Sequence, residues 1–198
     1  MIDTLPVHHL SRVLSLLNRG EIVAFPTGTT YGFAVNALDA PALKRLTDLK
    51  GRSAEKAYTL LLPAAEIDTF VELAAQERTA LEAFSSQPLT LLVKPRPMLT
   101  GLAKDGRVGI RTPDHPFMKE LVGILKFPVT ATSANRSGES PALSIEELMR
   151  TFKDATFMAV DGGTLPKRRP STVSRWNNGQ WEVIREGDVR LLDLKKIS

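Results

Sequence analysis

Cysteine is absent from this 198-residue chain, and tryptophan and tyrosine occur only twice each. The absence of cysteine excludes disulfides and thiolate metal sites, and it is compatible with a reducing compartment. Aromatic residues make up only 6% of the sequence, and no RNP-type motif occurs. Both features argue against a protein that recognises RNA by stacking bases on aromatic side chains. A chain of this length can bury a full hydrophobic core without covalent cross-links.

No apolar run approaches the roughly 20 residues that a membrane-spanning helix needs. The first residues include an acid, Asp3, and no long apolar stretch, which predicts that there is no secretory signal. We therefore expect a soluble, cytoplasmic protein without a membrane partner. The net charge of +4, from 26 Lys and Arg against 22 Asp and Glu, is a mild excess. It permits an anionic ligand without requiring one.

The common nucleotide-binding and metal-binding motifs are also missing. Residues 27–32 (TGTTYG) are superficially like a glycine-rich phosphate loop, but the patterns G-x-x-x-x-G-K-[ST] and G-x-G-x-x-G are both absent. His8 and His9 lie on the predicted first helix with no third ligand in view, so we predict no metal site. A nucleotide site would therefore have to be built from other residues.

The chain does contain an alternation of strands and helices, in a composition typical of one globular domain. Apolar patterns predict strands at 21–25, 58–62, 89–93, 108–111 and 128–131, and helices at 75–84 and 116–125. Asp39 is a predicted N-cap and Gly51 the predicted end of a further helix, and Ser144 with Glu147 predicts a capping box. The C-terminal segments predict short strands around a turn. We expect an α/β fold in a single domain over residues 1–198, with a mixed, twisted sheet.

The segment at residues 130–138 (TATSANRSG) is distinctive because a strand runs directly into small hydroxyl, amide and glycine residues. Such a strand end lets a polar ligand approach the backbone closely. Ser133 and Asn135 either bond their own backbone in a turn or offer neutral hydrogen-bond donors to a ligand. The local sequence leaves both alternatives open.

A second polar cluster, at residues 50–53 (KGRS), supplies the charge that this segment lacks. Lys50 and Arg52 either complement the dipole of the preceding helix or clamp a phosphate, since Arg offers a planar fork and Lys a point charge. Arg111 follows at a predicted strand end, where ligands of open α/β sheets are usually bound. The basic triplet at 167–169 (KRR) predicts a solvated loop or, alternatively, a contact with RNA or a nucleotide phosphate.

The order and spacing of these motifs resemble those of the YrdC/Sua5 family of threonylcarbamoyl-AMP synthases. The similarity runs nearly from end to end, through residues 25–32 (FPTGTTYG), 50–53 (KGRS), 88–90 (PLT), 108–116 (VGIRTPDHP), 132–138 (TSANRSG), 170–173 (PSTV) and 185–187 (REG). The resemblance implies a twisted mixed sheet with flanking helices around a basic cavity. It also implies an enzyme, a nucleotidyltransferase. Its reaction would form threonylcarbamoyl-AMP and pyrophosphate from L-threonine, bicarbonate or CO2, and ATP with Mg²⁺, for the threonylcarbamoyladenosine modification of tRNA.

The resemblance also assigns two groups of side chains to a site, position by position. ATP would be held by Lys50, Arg52, Thr132, Ser133, Asn135, Ser137 and Arg185, and threonine by Thr27, Tyr31, Arg111, Ser171 and Thr172. The catalytic residues within these groups would be Lys50, Arg52, Ser133 and Asn135. Such a reaction depends on positioning and on neutralising phosphate charge, so no nucleophilic side chain is required.

Three segments depart from the family pattern. Gly28 stands where Glu is usual, which removes a carboxylate that could orient the loop or an ion. Residues 56–58 (KAY) replace an Asn-Pro-Leu-like segment near Arg52, and residues 85–87 (SSQ) replace a Trp-Pro-Gly segment. The chain also ends before the extra C-terminal domain of the longer family members would begin.

The competing hypothesis is a YciO-like paralogue, or an RNA-binding module with a basic cavity and no synthase activity. Such paralogues have degraded Lys/Arg and Ser/Asn elements, whereas all four positions are intact here, which favours the synthase. The expected partners are the three substrates. Transient contacts with tRNA, and with the proteins that transfer the threonylcarbamoyl group to it, are also expected.

Overall fold

The computed structural model describes residues 2–51 and 58–197 of the chain. Its strands are β1 (Ile2–Pro6), β2 (Val23–Pro26), β3 (Tyr31–Ala34), β4 (Thr59–Leu61), β5 (Val71–Glu72), β6 (Leu89–Pro95), β7 (Val108–Arg111), β8 (Val129–Thr130), β9 (Thr132–Ser133), β10 (Phe157–Asp161), β11 (Thr172–Asn177) and β12 (Gln180–Arg185). Its α-helices are α1 (Leu10–Asn18), α2 (Ala40–Lys50), α3 (Ile67–Phe70), α4 (Ala75–Ala83), α5 (Pro116–Ile124), α6 (Ile145–Thr151) and α7 (Leu191–Lys195). None of the helices in these ranges is both long and apolar enough to cross a membrane.

The strands form two mixed sheets. In the first, with the order β1-β10-β2-β3-β9, the pairs β1/β10 and β10/β2 are parallel, and β2/β3 and β3/β9 are antiparallel. In the second, with the order β12-β11-β6-β7-β4-β8, antiparallel and parallel pairs alternate, and β5 pairs with β6 outside this order. The predicted α/β fold with mixed strand pairing is confirmed. The strands are divided between two sheets instead of lying in one.

One short stretch of chain, residues 129–133, belongs to both sheets, and we call it the crossing segment. Its first half, β8, pairs with β4 in the second sheet, and its second half, β9, pairs with β3 in the first. At the passage between them, the Thr130 N–H donates to the Val35 carbonyl (3.0 Å) and the Ala131 N–H to the Thr59 carbonyl (2.7 Å). The residues that follow Ala131 therefore lie where the two sheets meet.

The predicted helix ends are observed. The Asp39 side chain caps α2 by accepting a backbone N–H of the first turn, and Gly51 ends the helix in the left-handed region at φ 57°, which glycine adopts without a Cβ penalty. Ser144 caps α6 by accepting the Glu147 N–H at 3.3 Å. The Glu147 carboxylate accepts the N–H of Leu143 (2.6 Å), one residue before the Ser144 N–H that a strict capping box uses.

Three elements differ from the expectation. Tyr31 and Gly32, expected in a loop, begin β3, which folds back on β2 through a turn closed by the Thr27 N–H and the Thr30 carbonyl (3.0 Å). Strand β1 lies at a sheet edge with mostly exposed side chains, so it lacks the buried apolar run that identifies a strand. The C-terminal segments end in helix α7, where only strands were expected.

The core consists of two apolar clusters on either side of the first sheet. In the larger cluster, Phe33, Phe152 and Phe157 pack edge to face with ring centroids 5.1 to 5.9 Å apart, an arrangement that ring quadrupoles favour. Strand β2 contributes Ala24 to this cluster and Phe25 to the smaller one, as the alternation of side chains along a strand requires. The first sheet is therefore covered on both faces.

Candidate active site

A cavity of about 620 Å³ opens where the crossing segment passes from one sheet to the other. Its lining consists of Thr29, Thr30, Lys50, Thr59, Arg111, Ala131, Thr132, Ser133, Asn135, Ser137, Gly138, Pro141, Arg168, Pro170, Ser171 and Arg185. Four of these side chains are cations, and the lining contributed by the described residues contains no Asp or Glu. Hydroxyl groups form most of the remaining polar wall. Such a wall suits a polyanionic ligand.

Lys50 joins the end of α2 to the loop after the crossing segment. Its side chain is almost fully buried, with the whole residue only 4% exposed. Its Nζ donates to the Ser133 carbonyl, to the Asn135 carbonyl (2.9 Å) and to Asn135 Oδ1 (3.1 Å). The Lys50 carbonyl in turn accepts the Ser137 N–H (2.8 Å). The two polar clusters identified in the sequence are therefore one structural unit.

In the structure, Ser133 and Asn135 form the self-bonded turn, which is the first of the alternatives that the sequence left open. Ser133 Oγ donates to Asn135 Oδ1 (2.6 Å), and Asn135 Nδ2 donates to the carbonyls of Arg136 and Glu139 (2.8 Å each). The two side chains therefore bond within their own turn, and they also line the cavity. Because both hydrogens of the Asn135 amide are engaged, this turn must rearrange before that amide can donate to a ligand.

Arg111 lies at the end of β7 with its side chain 9% exposed. Its Nη2 donates to Asp114 Oδ2 (3.0 Å) and to Thr29 Oγ1 (3.1 Å). No acceptor within the described part of the chain is bonded to Nη1. Since Arg111 also lines the cavity, the Nη1 group is a donor that a carboxylate or phosphate oxygen of a ligand can use.

Arg185, at the end of β12, is held by neutral groups. Its Nη2 donates to the Ser171 carbonyl (2.8 Å) and to Ser171 Oγ (3.0 Å), and its Nε donates to the same carbonyl (3.1 Å). Burial, and after it the positive charge of Arg111, lowers the pKa of Arg185. Among the ion pairs of the described residues, none involves Arg185. An anion bound in the cavity would therefore relieve an unfavourable charge.

Arg168, for which the sequence predicted either a solvated loop or a contact with RNA or a nucleotide phosphate, also lines the cavity. Its Nη2 pairs with Asp188 Oδ2 (3.1 Å), and its Nη1 lies 3.4 Å from the Gly28 carbonyl. Thr29, Thr30 and Thr59 line the cavity as well, and the sequence did not predict them as site residues. The signal that was available for Arg168 is its position two residues before the PST motif, whose Pro170 and Ser171 line the same cavity.

Three residues assigned to threonine lie behind the wall, outside the cavity lining. The Thr27 hydroxyl donates to the Thr30 carbonyl (2.7 Å) and accepts backbone N–H groups of its own turn. The Tyr31 hydroxyl, whose pKa is raised chiefly by burial, donates to the Gly163 carbonyl (2.9 Å). Thr172 Oγ1 donates to a backbone carbonyl at 2.7 Å. In this arrangement these side chains support the loops that form the wall.

Some of the predicted positions lie outside the described residues. Arg52 is one of them, as are the first two residues of the 56–58 segment. Tyr58, the third, is buried and its hydroxyl hydrogen-bonds to Thr47 Oγ1 (2.7 Å), so this position packs against α2. Residues 85–87 are exposed and lie just before β6. They do not belong to the cavity lining.

The described residues contain no cluster of three or more His, Cys, Asp or Glu side chains that could hold a metal ion. Mg²⁺ needs oxygen ligands and is usually bound through one or two carboxylates plus substrate phosphates, and the described lining of the cavity contains no carboxylate.

Several known proteins are similar to this chain in sequence and in fold. The family model Sua5/YciO/YrdC, described as "Telomere recombination", matches residues 15–187. A protein of Chromohalobacter salexigens named threonylcarbamoyl-AMP synthase is 31% identical over 179 residues, covering 86% of this chain and 94% of that protein. The crystal structure of P. abyssi Sua5 complexed with L-threonine has a TM-score of 0.86 at 26% identity, and it covers 100% of this chain.

The matching proteins differ in sequence identity and in the share of their length that this chain covers. The chain spans 60% of the P. abyssi Sua5 structure. The crystal structure of E. coli YciO has a TM-score of 0.83, covering 98% of both chains, but at 19% identity it shows the fold alone. The family model, in contrast, matches most of the sequence and includes every lining residue of the cavity. On that ground, this chain belongs to the Sua5/YciO/YrdC family.

Proposed function

We propose that this chain is a threonylcarbamoyl-AMP synthase, which forms threonylcarbamoyl-AMP and pyrophosphate from L-threonine, bicarbonate or CO2, and ATP. The observation that carries the proposal is the cavity wall, which has four cations, many hydroxyl groups and, in its described part, no carboxylate. A triphosphate and a carboxylate are both anionic, so one wall of this kind accommodates both.

The relatives support the same reaction. The Chromohalobacter salexigens protein carries the name threonylcarbamoyl-AMP synthase, and this chain covers 94% of its length. The P. abyssi Sua5 structure was solved with L-threonine. The product would be used for the threonylcarbamoyladenosine modification of tRNA. The enzyme would be a nucleotidyltransferase, and it would act in the cytoplasm.

The reaction needs positioning more than it needs reactive side chains. The amine of threonine adds to CO2 and loses a proton, which gives a carbamate. A carbamate oxygen then attacks the α-phosphorus of ATP, and the bond between the α-phosphorus and the α,β-bridging oxygen breaks as pyrophosphate leaves with its electron pair. Cations that are fixed around the phosphates stabilise the charge that develops on the departing oxygen, and close placement of the reactants supplies much of the rate.

Different residues of the cavity wall would bind different parts of the substrates. Arg111, with its Nη1 group available, would bind the carboxylate of threonine. Lys50, at the opposite polar cluster with Ser133 and Asn135, would lie beside the reacting carbamate and α-phosphate. Arg185 and Arg52 would neutralise the triphosphate, and Thr132 and Ser137 would offer it hydrogen bonds. Mg²⁺ would enter on the phosphates of ATP, where it offsets their charge.

An RNA contact is the second candidate, and it is supported by the exposed loop around Lys167 and Arg169. These cations lie next to Arg168 at the cavity mouth, where a tRNA or a transfer protein could approach a product. Binding through such cations would weaken steeply as salt rises. Tight RNA binding without any affinity for ATP would favour an RNA-binding module without synthase activity over the synthase.

The direct test is pyrophosphate release from ATP, measured with L-threonine and with L-serine, each with and without bicarbonate. We expect release that requires both bicarbonate and the amino acid. Lys50→Met, which keeps the length of the buried side chain, and Asn135→Ala should each lower kcat/KM by at least about 100-fold, because they disrupt the groups around the developing charge.

Lys44→Ala is the matched control for the lysine variant. Lys44 lies on the same helix with its side chain 76% exposed, so its removal should leave turnover within about twofold. Normal turnover by both Lys50→Met and Asn135→Ala would contradict the site, and the absence of threonine-dependent release in the wild-type protein would contradict the proposed function.

A further inference from the structure

A buried carboxylate, Asp114, lies against the cavity cation Arg111. The Asp114 side chain is 1% exposed and is therefore removed from bulk solvent. Its Oδ2 accepts a hydrogen bond from Arg111 Nη2 (3.0 Å), and its Oδ1 lies 3.2 Å from Nη2 and 3.4 Å from Nε. The carboxylate thus faces the Nε and Nη2 edge of the guanidinium and leaves Nη1 to the cavity.

The same carboxylate lies directly over Gly28. A Cβ atom at position 28 would lie 2.3 Å from Asp114 Oδ2, 2.6 Å from its Cγ and 2.8 Å from its backbone oxygen. Gly28 is not among the glycines with positive φ, so its backbone conformation does not require glycine. Glycine is required here by the lack of space, because the closest atoms belong to a carboxylate that is itself held by Arg111.

The loop that contains Gly28 holds the guanidinium from the other side. Thr29 Oγ1 and Thr27 Oγ1 accept from Arg111 Nη2 at 3.1 and 3.4 Å. The Asp114 carboxylate and the threonine hydroxyls therefore fix one end of the guanidinium plane, as a bidentate contact to a planar fork does. Displacing Asp114 would release this orientation while leaving the cation in place.

We propose that Asp114 is a positioning residue that orients Arg111 toward an anionic ligand, and that Gly28 is required because the Asp114 carboxylate occupies the space of a side chain there. The identity of that ligand as the carboxylate of threonine rests on the proposed function. The glycine, which departs from the Glu usual in the family, and the buried aspartate form one coupled pair.

The test compares Asp114→Asn, Gly28→Ala and the double variant in the pyrophosphate-release assay. Asp114→Asn keeps the volume and removes the charge, and Gly28→Ala displaces the carboxylate without removing it. We expect each to raise the KM for threonine about 10- to 100-fold, because a small misplacement of a binding group is costly. The KM for ATP should stay within about twofold. Because both changes act on the same contact, the double variant should cost no more than either single one.

A second readout does not depend on turnover. The Nε–H signal of Arg111 in a nitrogen-15 NMR spectrum, assigned by its loss in Arg111→Lys, should exchange slowly with water in the wild-type protein and faster in both variants. If the wild-type protein neither turns over nor binds threonine, the proposed function fails, and this exchange rate still decides the inference.

Asp68→Asn is the control, since Asp68 forms an exposed ion pair with Arg78 and its loss should change neither readout. Melting temperatures identify any variant that does not fold. If Asp114→Asn is such a variant, Gly28→Ala decides by the same measurements. A threonine KM within about twofold of wild type, additive effects in the double variant, or unchanged Nε–H exchange would each overturn the proposal.

Discussion

At the scale of single residues, the cations of the cavity are held by partners of three different kinds. Lys50 donates to backbone carbonyls and an amide oxygen, Arg111 pairs with a buried carboxylate, and Arg185 donates to the carbonyl and hydroxyl of Ser171. These partners neutralise the charges to different extents. Among the described residues Arg185 has no carboxylate partner, and its pKa is lowered by burial and by Arg111, so we expect a bound anion to stabilise its charge.

Replacing Arg185 by glutamine tests this reasoning. Because burial and Arg111 already disfavour the charged guanidinium, we expect Arg185→Gln to change the free energy of unfolding by less than about 1 kcal/mol. The KM for ATP should rise at least about tenfold, since one phosphate contact is lost. Urea denaturation and steady-state kinetics measure the two effects. A large loss of stability with an unchanged KM for ATP would mean that Arg185 is structural.

Residue identity was predictable at these positions, but the direction of each side chain was not. Ser171 lines the cavity while the next residue, Thr172, is turned into the interior, and Thr30 lines it while Tyr31 is turned away. Successive side chains of an extended chain point to opposite sides. In these two pairs of neighbours, one residue therefore reaches the cavity and the other supports it from behind.

At the scale of elements, the start of helix α5 depends on a titratable cap. His115 Nδ1 accepts the Phe117 N–H (3.2 Å), so the His115 side chain is the N-cap of this helix. Burial lowers the pKa of His115, against a smaller opposing effect of Asp114. A protonated imidazole carries a hydrogen on both nitrogens and cannot accept this bond.

The stability of the protein should therefore depend on this histidine below neutral pH. The unfolded chain binds a proton near the ordinary histidine pKa of about 6.5, and the folded chain binds it only at lower pH, so stability is present above that value and is lost as pH falls through it. Between about pH 7.5 and pH 5.5, the free energy of unfolding should fall more for the wild type than for His115→Asn, which retains an acceptor that does not titrate.

His115→Ala should cost about 1 kcal/mol at about pH 7.5, the typical value of a lost N-cap. Urea unfolding at the two pH values provides the measurement. Equal pH dependence in the wild type and in His115→Asn would show that other groups dominate in this range.

At the scale of the whole molecule, the two sheets are linked by the crossing segment and share one large apolar cluster. The crossing segment pairs with both sheets, and the larger cluster includes Phe33 from the first sheet and Leu60 and Leu91 from the second. Separating the sheets would expose this shared core to water. We therefore propose that residues 1–198 form a single domain.

A single domain should unfold as one unit. Trp176 and Trp181 lie in contact in the β11–β12 hairpin, with ring centroids 5.3 Å apart, so their fluorescence reports on the outer edge of the second sheet. Far-ultraviolet circular dichroism reports mainly on the helices. The midpoints of both signals in urea should agree within about 0.5 M. Two separate midpoints would show that the sheets unfold independently.

The sequence by itself determined the fold class, the helix ends and most of the chemistry of the cavity. Caps and apolar periodicity depend on neighbouring residues, so Asp39, Gly51 and Ser144 could be assigned from local sequence alone. The motif order identified the family, and it named eight of the lining residues: Lys50, Arg111, Thr132, Ser133, Asn135, Ser137, Ser171 and Arg185.

Only the tertiary structure decided which side chains share the cavity and how they are held. Arg168 and the Asp114 carboxylate acquire their roles through contacts with Gly28, 140 residues away along the chain in the case of Arg168. The division of the strands into two sheets depends on the pairing of the crossing segment with both of them. Such contacts join residues that are distant in sequence, and local patterns carry no information about them.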